Sequence, residues 1–455
     1  AEYYALIADH FEKAGDVGHA AHYLRLAGED AVKAYASEAA LDHLGRALTL
    51  TPENDVTTRF DLLHARSEVL FRKGLRSAHL DDAQQLAAIA EALDNDEKRA
   101  YAGGQLARHA FGVADYPHAV SLGARAVAFA DAAGTPDAGL HAHTNWVNAL
   151  RMLGDTTAAL TEAERVLASA EALGNTTAYL RVMSVLGGLA TDQGRYGAAR
   201  DYYRRGLALS RETGNRVAEA NALASIGDIE RIFGNYAEAI AMAEAALRIY
   251  REIGFTMFEA LTHMNLATAM RLNGDAKGAL ESALRGLAMA RETDNADLRA
   301  AGANVAADVY CALGSLDEAA TLHAEALVLY REVGRATMAL EALVGLARVD
   351  RASGQARQAL THVDEVLAHF DAGGTVQGAE DPLAIYRTCY EILEEAQAPR
   401  ADEILEDGHA LLIKRAELLD ATEREGFLHR VPSHRAIIDA FESHHPERSR
   451  GEALA

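Results

Sequence analysis

The stretch Phe233-Gly234-Asn235-Tyr236-Ala237-Glu238-Ala239 predicts a turn between two helices, and the glycine of this turn recurs along the chain at a regular spacing. Glycine recurs at a spacing of 40 residues, at Gly154, Gly194, Gly234, Gly274, Gly314 and Gly354. A second set lies halfway between, with Asp294 filling its one gap: Gly134, Gly174, Gly214, Gly254, Gly334 and Gly374. A helix-breaking residue every 20 residues predicts a helix–turn–helix unit that repeats with a 40-residue period. This is the pattern of an all-α solenoid.

Two apolar columns accompany these turns and predict how the helices of a unit pack. Alanine stands five residues after the turn at Ala119, Ala159, Ala199, Ala239, Ala279, Ala319 and Ala359, whereas His79 takes the place in the first unit. Eight residues further come Val127, Leu167, Leu207, Leu247, Leu287, Leu327 and Leu367. A small side chain lets two helices approach closely, and a large one fills the space that remains.

The bulk composition describes a folded chain and excludes several classes of partner. Of its 455 residues 49% are apolar, and the formal net charge is −23. So acidic a surface disfavours binding to nucleic acid or to an anionic membrane. Cys311 and Cys389 give neither a disulfide framework nor zinc-ligand spacing, so we expect a reducing cytoplasm. No apolar run approaches the ~18 residues of a membrane span.

Four segments are expected along the chain. Residues 1–57 form N-terminal helices that include one short repeat-like unit, and residues 58–376 form eight 40-residue repeats. Residues 377–441 form C-terminal capping helices, and the polar stretch 442–455 is expected to be a disordered tail. The chain opens Ala1-Glu2-Tyr3-Tyr4 without a methionine or a signal-peptide pattern, which favours a fragment of a longer protein.

The segment 221–254 (NALASIGDIERIFGNYAEAIAMAEAALRIYREIG) resembles a tetratricopeptide repeat (TPR), and the likeness covers residues 17–420. The 40-residue spacing is similar to the long TPRs of bacterial signalling ATPases. Residues 7–16 and 20–24, with Arg424, Phe427-Leu428, Val431-Pro432 and His434-Arg435, resemble segments of STAND-type regulators and of class III adenylate/guanylate cyclases that carry an AAA-like module. The resemblance implies a right-handed α-solenoid superhelix and, upstream of it, an ATPase with a cyclase or DNA-binding effector.

Motifs that carry chemistry are missing from the sequence. It contains no GxxxxGK[ST], HExxH, GxSxG or Cys-x-x-Cys. Gly187-Gly188 lies inside a predicted helix, which favours a close helix contact over a phosphate loop. The pairs His19/His22 and His141/His143 lack carboxylate support for a metal, so surface histidines are the preferred interpretation. We therefore expect no catalytic activity, no cofactor and no metal.

Two polar columns on the first helix of each unit are the candidate binding residues. The TPR resemblance implies that these helices line the concave groove. Arginine stands three residues before the turn, and a polar residue stands three residues before that. The candidates are Asn148, Arg151, Asp228, Arg231, Arg271, Asp308, Arg348 and Arg351, with Thr268 in the same column. A spacing of i,i+3 places both columns on one helix face, where Asp228 can pair with Arg231.

Repeated guanidiniums in a groove would bind the carboxylates or phosphates of an acidic or phosphorylated partner segment. The competing interpretation is structural, because arginine in a last helical turn complements the helix dipole and covers apolar surface.

Two functions remain open at this point. The first is a protein–protein interaction scaffold, or the sensor arm of a larger bacterial signalling protein. The second is a small-metabolite-sensing domain that controls an upstream ATPase, cyclase or transcription-regulator module. A metabolite pocket gathers aromatic and polar groups in one place. Trp146 and Tyr310 are too dispersed for that, which favours the scaffold.

Overall fold

The fold is taken from a computed structural model that describes residues 2–446. In that range the chain forms helices throughout and no strand. The first eleven are α1 (Glu2–Lys13), α2 (Val17–Lys33), α3 (Ser37–Leu50), α4 (Val56–Arg72), α5 (Arg76–Ala92), α6 (Asp96–Gly112), α7 (Tyr116–Ala133), α8 (Pro136–Met152), α9 (Thr156–Leu173), α10 (Thr176–Asp192) and α11 (Tyr196–Glu212). The next eight are α12 (Arg216–Ile232), α13 (Tyr236–Ile253), α14 (Thr256–Leu272), α15 (Ala276–Arg291), α16 (Ala296–Leu313), α17 (Leu316–Glu332), α18 (Ala336–Ala352) and α19 (Ala356–Asp371). The last four are α20 (Pro382–Glu395), α21 (Ala401–Ala416), α22 (Ala421–His429) and α23 (Pro432–His444).

Short polar residues and left-handed turn residues set the helix ends. The side chain of Asp155 accepts a hydrogen bond from the backbone N–H of Ala158, which caps the N-terminus of α9. Gly234, which follows α12, has φ 74°. That conformation is strained for residues with a Cβ and ends the helix. Ala114 takes the same role with φ 64°, so the period persists where its glycine is missing.

Helices α4 to α19 form eight successive helix pairs, each joined by one of these turns. The alanine column is buried, from 0% exposure at Ala159 to 2% at Ala239. His79, which interrupts that column, is also fully buried. The first helices α12 and α14 have no exposed position, whereas α13 and α15 expose one side. The first helices therefore form the inner layer and the second helices the outer layer.

Successive turns of the superhelix touch one another. The Tyr116 hydroxyl donates to the Asp297 carboxylate at 2.7 Å, across 181 residues of sequence. The Asn295 side-chain amide donates to the carbonyl of Gly112 at 2.9 Å, and Arg335 Nη1 donates to the carbonyl of Met152 at 2.9 Å, each across 183 residues. One superhelical turn therefore takes about four and a half repeats, and its edges are joined by polar contacts, which we call the seam.

The C-terminal helices pack onto the same superhelix. Arg415 Nη1 donates to the Tyr196 hydroxyl at 2.7 Å, and Arg430 Nη1 donates to Asn235 Oδ1 at 2.8 Å. The ring of Phe427 is buried against Tyr196. Helices α20 to α23 thus cover the fourth and fifth units as well as the end of the array.

Some expected segment boundaries fall inside helices. The boundary at 57/58 lies two residues into α4, and α23 continues to His444, past the expected start of the tail at 442. The remainder of the expected tail, residues 447–455, lies outside the described residues. Between positions 2 and 446, no helix combines the length and the apolar character that crossing a membrane requires.

Candidate partner-binding groove

The inner wall of the superhelix carries the candidate binding residues, and they keep part of their surface open to solvent. Side-chain exposure is 29% for Arg151, 10% for Arg231 and 24% for Arg348. Burial would lower the pKa of each of these three arginines, but neighbouring carboxylates outweigh it and the pKa values rise. These arginines are therefore mostly shielded from bulk solvent, on a wall of the groove that is open in part.

Arg151 pairs with a carboxylate from the next first helix. Its Nε and Nη2 atoms donate to the two oxygens of Asp192 at 2.6 and 2.9 Å, a bidentate pair between α8 and α10. The guanidinium lies over Gly188, where an added Cβ would be 2.8 Å from the Arg151 Cζ atom. The Gly187-Gly188 pair is thus a close helix contact, as the sequence predicts.

The other arginines of the columns are paired as well. Arg231 donates to Asp228 Oδ1 at 2.7 Å within α12, the pair predicted from the i,i+3 spacing. Asp308 accepts a hydrogen bond from Arg348 and lies 3.8 Å from Arg271. Burial opposes the ionisation of Asp308, but these two guanidiniums prevail and lower its pKa.

At the end of the array, Arg351 contacts Glu391 and Glu395 of α20. Its Nε atom lies 2.9 Å from Glu395 Oε1. Asn148 is half-buried, and its side chain makes no hydrogen bond to any residue in the described range. The arginine column is thus largely neutralised by carboxylates of the same chain, which join neighbouring first helices along the groove.

Acidic side chains collect near the C-terminal part of the groove. The backbone N–H of Asp381 donates to Glu341 Oε1 at 3.0 Å, where the loop after α19 meets α18. Burial, and then the negative charge of Glu380, raise the pKa of Glu341 well above its ordinary range. This end of the groove therefore favours a positive or neutral group.

Guanidiniums collect near the N-terminal part, at positions that the sequence analysis did not single out. Burial alone would raise the pKa of Glu68 on α4, but the positive charges of Arg108 on α6 and Arg181 on α10 hold it below its ordinary range. A signal was present in the sequence, because Arg108 and Glu68 stand 40 and 80 residues before Asn148 in the same column. The carboxylate partners Asp192 and Glu391 were missed as well.

Two of the four histidines considered for metal binding have carboxylate partners. His143 is only 6% exposed, so the expectation of a surface histidine is wrong at that position. His19 Nδ1 lies 2.8 Å from Asp16, and His143 Nε2 lies 2.7 Å from Glu162. A different group, Asp402, Glu406 and His445, brings its ligand atoms within 4.8 Å of one another in the C-terminal helices, with Asp402 exposed.

Comparison with known families agrees with the repeat geometry. Residues 140–212 and 214–292 match the model of the tetratricopeptide repeat. The chain carries tetratricopeptide repeats. The prediction of an all-α TPR solenoid is confirmed. No curated protein matches this chain.

Two solved structures align with this chain over nearly their whole length. The Rap protein complexed with Competence and Sporulation Factor aligns with a TM-score of 0.50 and 16% identity, over 76% of this chain and 99% of that chain. NprR in complex with its cognate peptide NprX aligns with a TM-score of 0.48 and 16% identity, over 73% of this chain and 98% of that chain. At such identity the likeness to Rap is one of fold.

Proposed function

We propose that this TPR chain is a non-catalytic scaffold that binds an extended protein or peptide segment in its groove. The observation that carries the proposal is the continuity of the polar inner wall. Partly exposed polar side chains follow the first helices from Glu68 on α4 to Arg351 on α18. A surface of that length suits an extended segment better than a compact ligand.

The two ends of the groove differ in charge, which would orient a bound segment. Arg108 and Arg181 lie near its N-terminal part, and Glu341 with Glu380 lies near its C-terminal part. Complementary charge fixes register and direction more than it adds affinity. The Rap structure, similar in fold, is a complex with Competence and Sporulation Factor, in keeping with a groove that holds a second molecule.

The sensing of a small metabolite finds less support in the geometry. An open depression of about 420 Å³ is lined by Leu284, Tyr310, Asp317 and Leu322, among others. These residues belong mainly to the second helices α15 and α17, outside the groove. Trp146 lies on α8 against the ring of His143, far from Tyr310 in the sequence.

We further propose that the scaffold is the sensor or docking arm of a larger bacterial signalling protein. The support is a resemblance to segments of STAND-type regulators and of cyclases with an AAA-like module. It is carried by residues 7–16 and 20–24 and by Arg424, Phe427-Leu428, Val431-Pro432 and His434-Arg435. The other domains of that polypeptide, an ATPase with a cyclase or DNA-binding effector, would then be its second partner.

Peptide selection tests the scaffold function. A random peptide library displayed on phage is selected against the purified chain, and binding of the enriched peptides is measured by titration. We expect Asn148→Ala to weaken binding of these peptides at least about tenfold, because its side-chain amide is available to hydrogen-bond a bound segment. The fold should be unaffected, since within the described residues that amide makes no internal hydrogen bond. Val328→Ser, a change on α17 at a position 55% exposed, is the control and should leave binding unchanged.

Two results would contradict the proposal. One is that the enriched peptides bind equally well to both variants. The other is that no peptide is enriched while a single metabolite shifts the unfolding temperature strongly.

A further inference from the structure

The first unit departs from the repeat pattern at a buried polar cluster. His79 occupies the place that alanine holds in the other seven units, and its Nε2 lies 3.2 Å from Gln105 Oε1. The Phe71 ring lies beside it and is contacted by two guanidiniums, Arg76 at 4.2 Å and Arg108 at 4.1 Å from the ring centroid. Positions that break the rules of their own architecture are where function is expected.

Positive charge exceeds negative charge at this cluster. Of Arg72, Arg76, Arg108 and Arg181, only Arg108 has a carboxylate within 4 Å in the described part of the chain, Glu68 Oε2 at 2.6 Å. Arg72 is 8% exposed and Arg76 is 3% exposed, and the Nε atoms of both lack a hydrogen-bond partner.

Arg181 is the least compensated of the four. It lies half-buried on the inner helix α10, and its side chain makes no hydrogen bond or ion pair with any residue from 2 to 446. Burial, followed by the positive charge of Arg108, lowers the pKa of Arg181 to about 10, and the carboxylate of Glu68 opposes this effect only in part. The pKa of Arg76 is also lowered to about 10. Burial and the positive charge of Arg108 lower it, and the negative charge of Asp294 opposes them in part.

The surplus contrasts with the rest of the groove and of the chain. Arg151, Arg231 and Arg351 each contact a carboxylate, and the chain as a whole carries a net charge of −23. A buried charge without a counter-charge destabilises a fold, so an uncompensated group suggests that the counter-charge comes from a ligand.

We propose that Arg108 and Arg181 bind an oxyanion group, a phosphate or a carboxylate, in the N-terminal part of the groove. Arg181 offers all its N–H donors and Arg108 those that Glu68 leaves free, and the planar guanidinium fork matches two oxygens of such a group. Arg72 and Arg76 are close enough to Arg108 to repel its charge, and they keep the position electropositive. A free phosphate ion and an acidic or phosphorylated side chain of a bound segment present the same oxygens, and only the second source rests on the proposed function.

Thermal unfolding of the purified chain in sodium phosphate, against sodium chloride of matched ionic strength, tests the free ion. We expect phosphate to raise the unfolding temperature by at least about 2 °C. Arg181→Gln should remove most of that shift. Without phosphate it should unfold no earlier than wild type, because within residues 2–446 the Arg181 side chain has no hydrogen bond or ion pair to lose, and burial with the charge of Arg108 outweighs the attraction of Glu68. Glu68→Gln, which removes the competing carboxylate, should enlarge the shift. Arg285→Gln, the same change at an exposed position of α15, is the control and should retain it.

A second arm tests a partner-borne anion with a phosphoserine peptide library and its serine counterpart. Phosphoserine-dependent binding that Arg181→Gln abolishes supports the site with a segment as its source. The proposal is overturned where neither phosphate stabilisation nor phosphoserine preference depends on Arg181, even if peptides bind elsewhere in the groove. Conversely, phosphate stabilisation that depends on Arg181, without any peptide binding, supports the site and contradicts the scaffold function.

Discussion

Arg151 on α8 and Asp192 on α10 form a bidentate ion pair, with two N–H donors 2.6 and 2.9 Å from the carboxylate oxygens. The pair joins the first helices of adjacent repeats, and the contacts of Asp308 with Arg271 and Arg348 do the same further along. The column therefore serves two purposes, since the groups that line the groove also hold the repeats in register.

Removing one member of the pair should destabilise the array. In Asp192→Asn the guanidinium of Arg151 remains in the enclosed groove without its counter-charge, and we expect a loss of about 1–3 kcal/mol in the free energy of unfolding. Urea denaturation measures it. The control is Glu325→Gln, which breaks the more exposed pair with Arg291 and should change stability by less than about 1 kcal/mol. Equal losses in the two variants would contradict a structural role for Asp192.

The seam should open locally when its hydroxyl contact is removed. Burial and the facing Asp297 carboxylate raise the pKa of Tyr116, so its hydroxyl remains protonated and donates. Tyr116→Phe keeps the ring but loses a hydrogen bond to a charged group, worth about 1.5–3 kcal/mol. We expect hydrogen exchange at the backbone amides of residues 112–116 to accelerate at least about tenfold.

A matched control for the seam is Tyr179→Phe. The Tyr179 hydroxyl accepts a hydrogen bond from Arg205, only 26 residues away and on an exposed surface. Its removal should leave exchange at residues 112–116 unchanged. An unchanged exchange rate in Tyr116→Phe would show that the two superhelical turns do not depend on this contact.

The sequence was sufficient to predict the repeat and most of its internal packing. The alanine column, from Ala119 to Ala359, is buried as the small/large pattern requires, because this packing involves only neighbouring helices. The partners of the arginines were also within reach, since Asp192 follows Arg151 by 41 residues and Glu391 follows Arg351 by 40. A search for a carboxylate about 40 residues after each arginine indicates both partners.

The seam and the arginine surplus could not be predicted in this way. The contact of Tyr116 with Asp297 depends on a small rotation per repeat, summed over more than four repeats. A local pattern does not determine that sum. The uncompensated state of Arg181 likewise depends on which charges the superhelix brings near it, and Arg108 lies on another repeat.

Two helical glycines should respond to alanine with opposite signs. At Gly187 an added Cβ would lie 2.4 Å from the buried ring of Tyr203, so Gly187→Ala should destabilise the chain by about 1–3 kcal/mol. At Gly206 no described residue beyond the local helix backbone comes within 4 Å of the added Cβ, so Gly206→Ala should gain up to about 1 kcal/mol from helix propensity alone. Urea denaturation of both variants checks the prediction, and a neutral Gly187→Ala would show that Tyr203 can move aside.

Acid should weaken the fold through a buried histidine, His323. Its ring is fully buried, with Nδ1 2.8 Å from Asn304 Oδ1 and Nε2 3.6 Å from Asp308. Burial lowers the pKa of His323 to about 4; Asp308 opposes this effect and Arg348 and Arg271 add to it. The unfolded chain therefore takes up the proton first, so the stability from the neutral ring is complete above about pH 6.5 and is lost towards pH 4. We expect this loss to be on the order of 1–3 kcal/mol.

In urea denaturation between about pH 6.5 and pH 4, the stability difference between wild type and His323→Gln should shrink as the pH falls. His118→Gln, at a side chain 61% exposed, is the control and should give a curve parallel to wild type. A parallel curve for His323→Gln as well would mean that folding leaves the pKa of His323 unchanged.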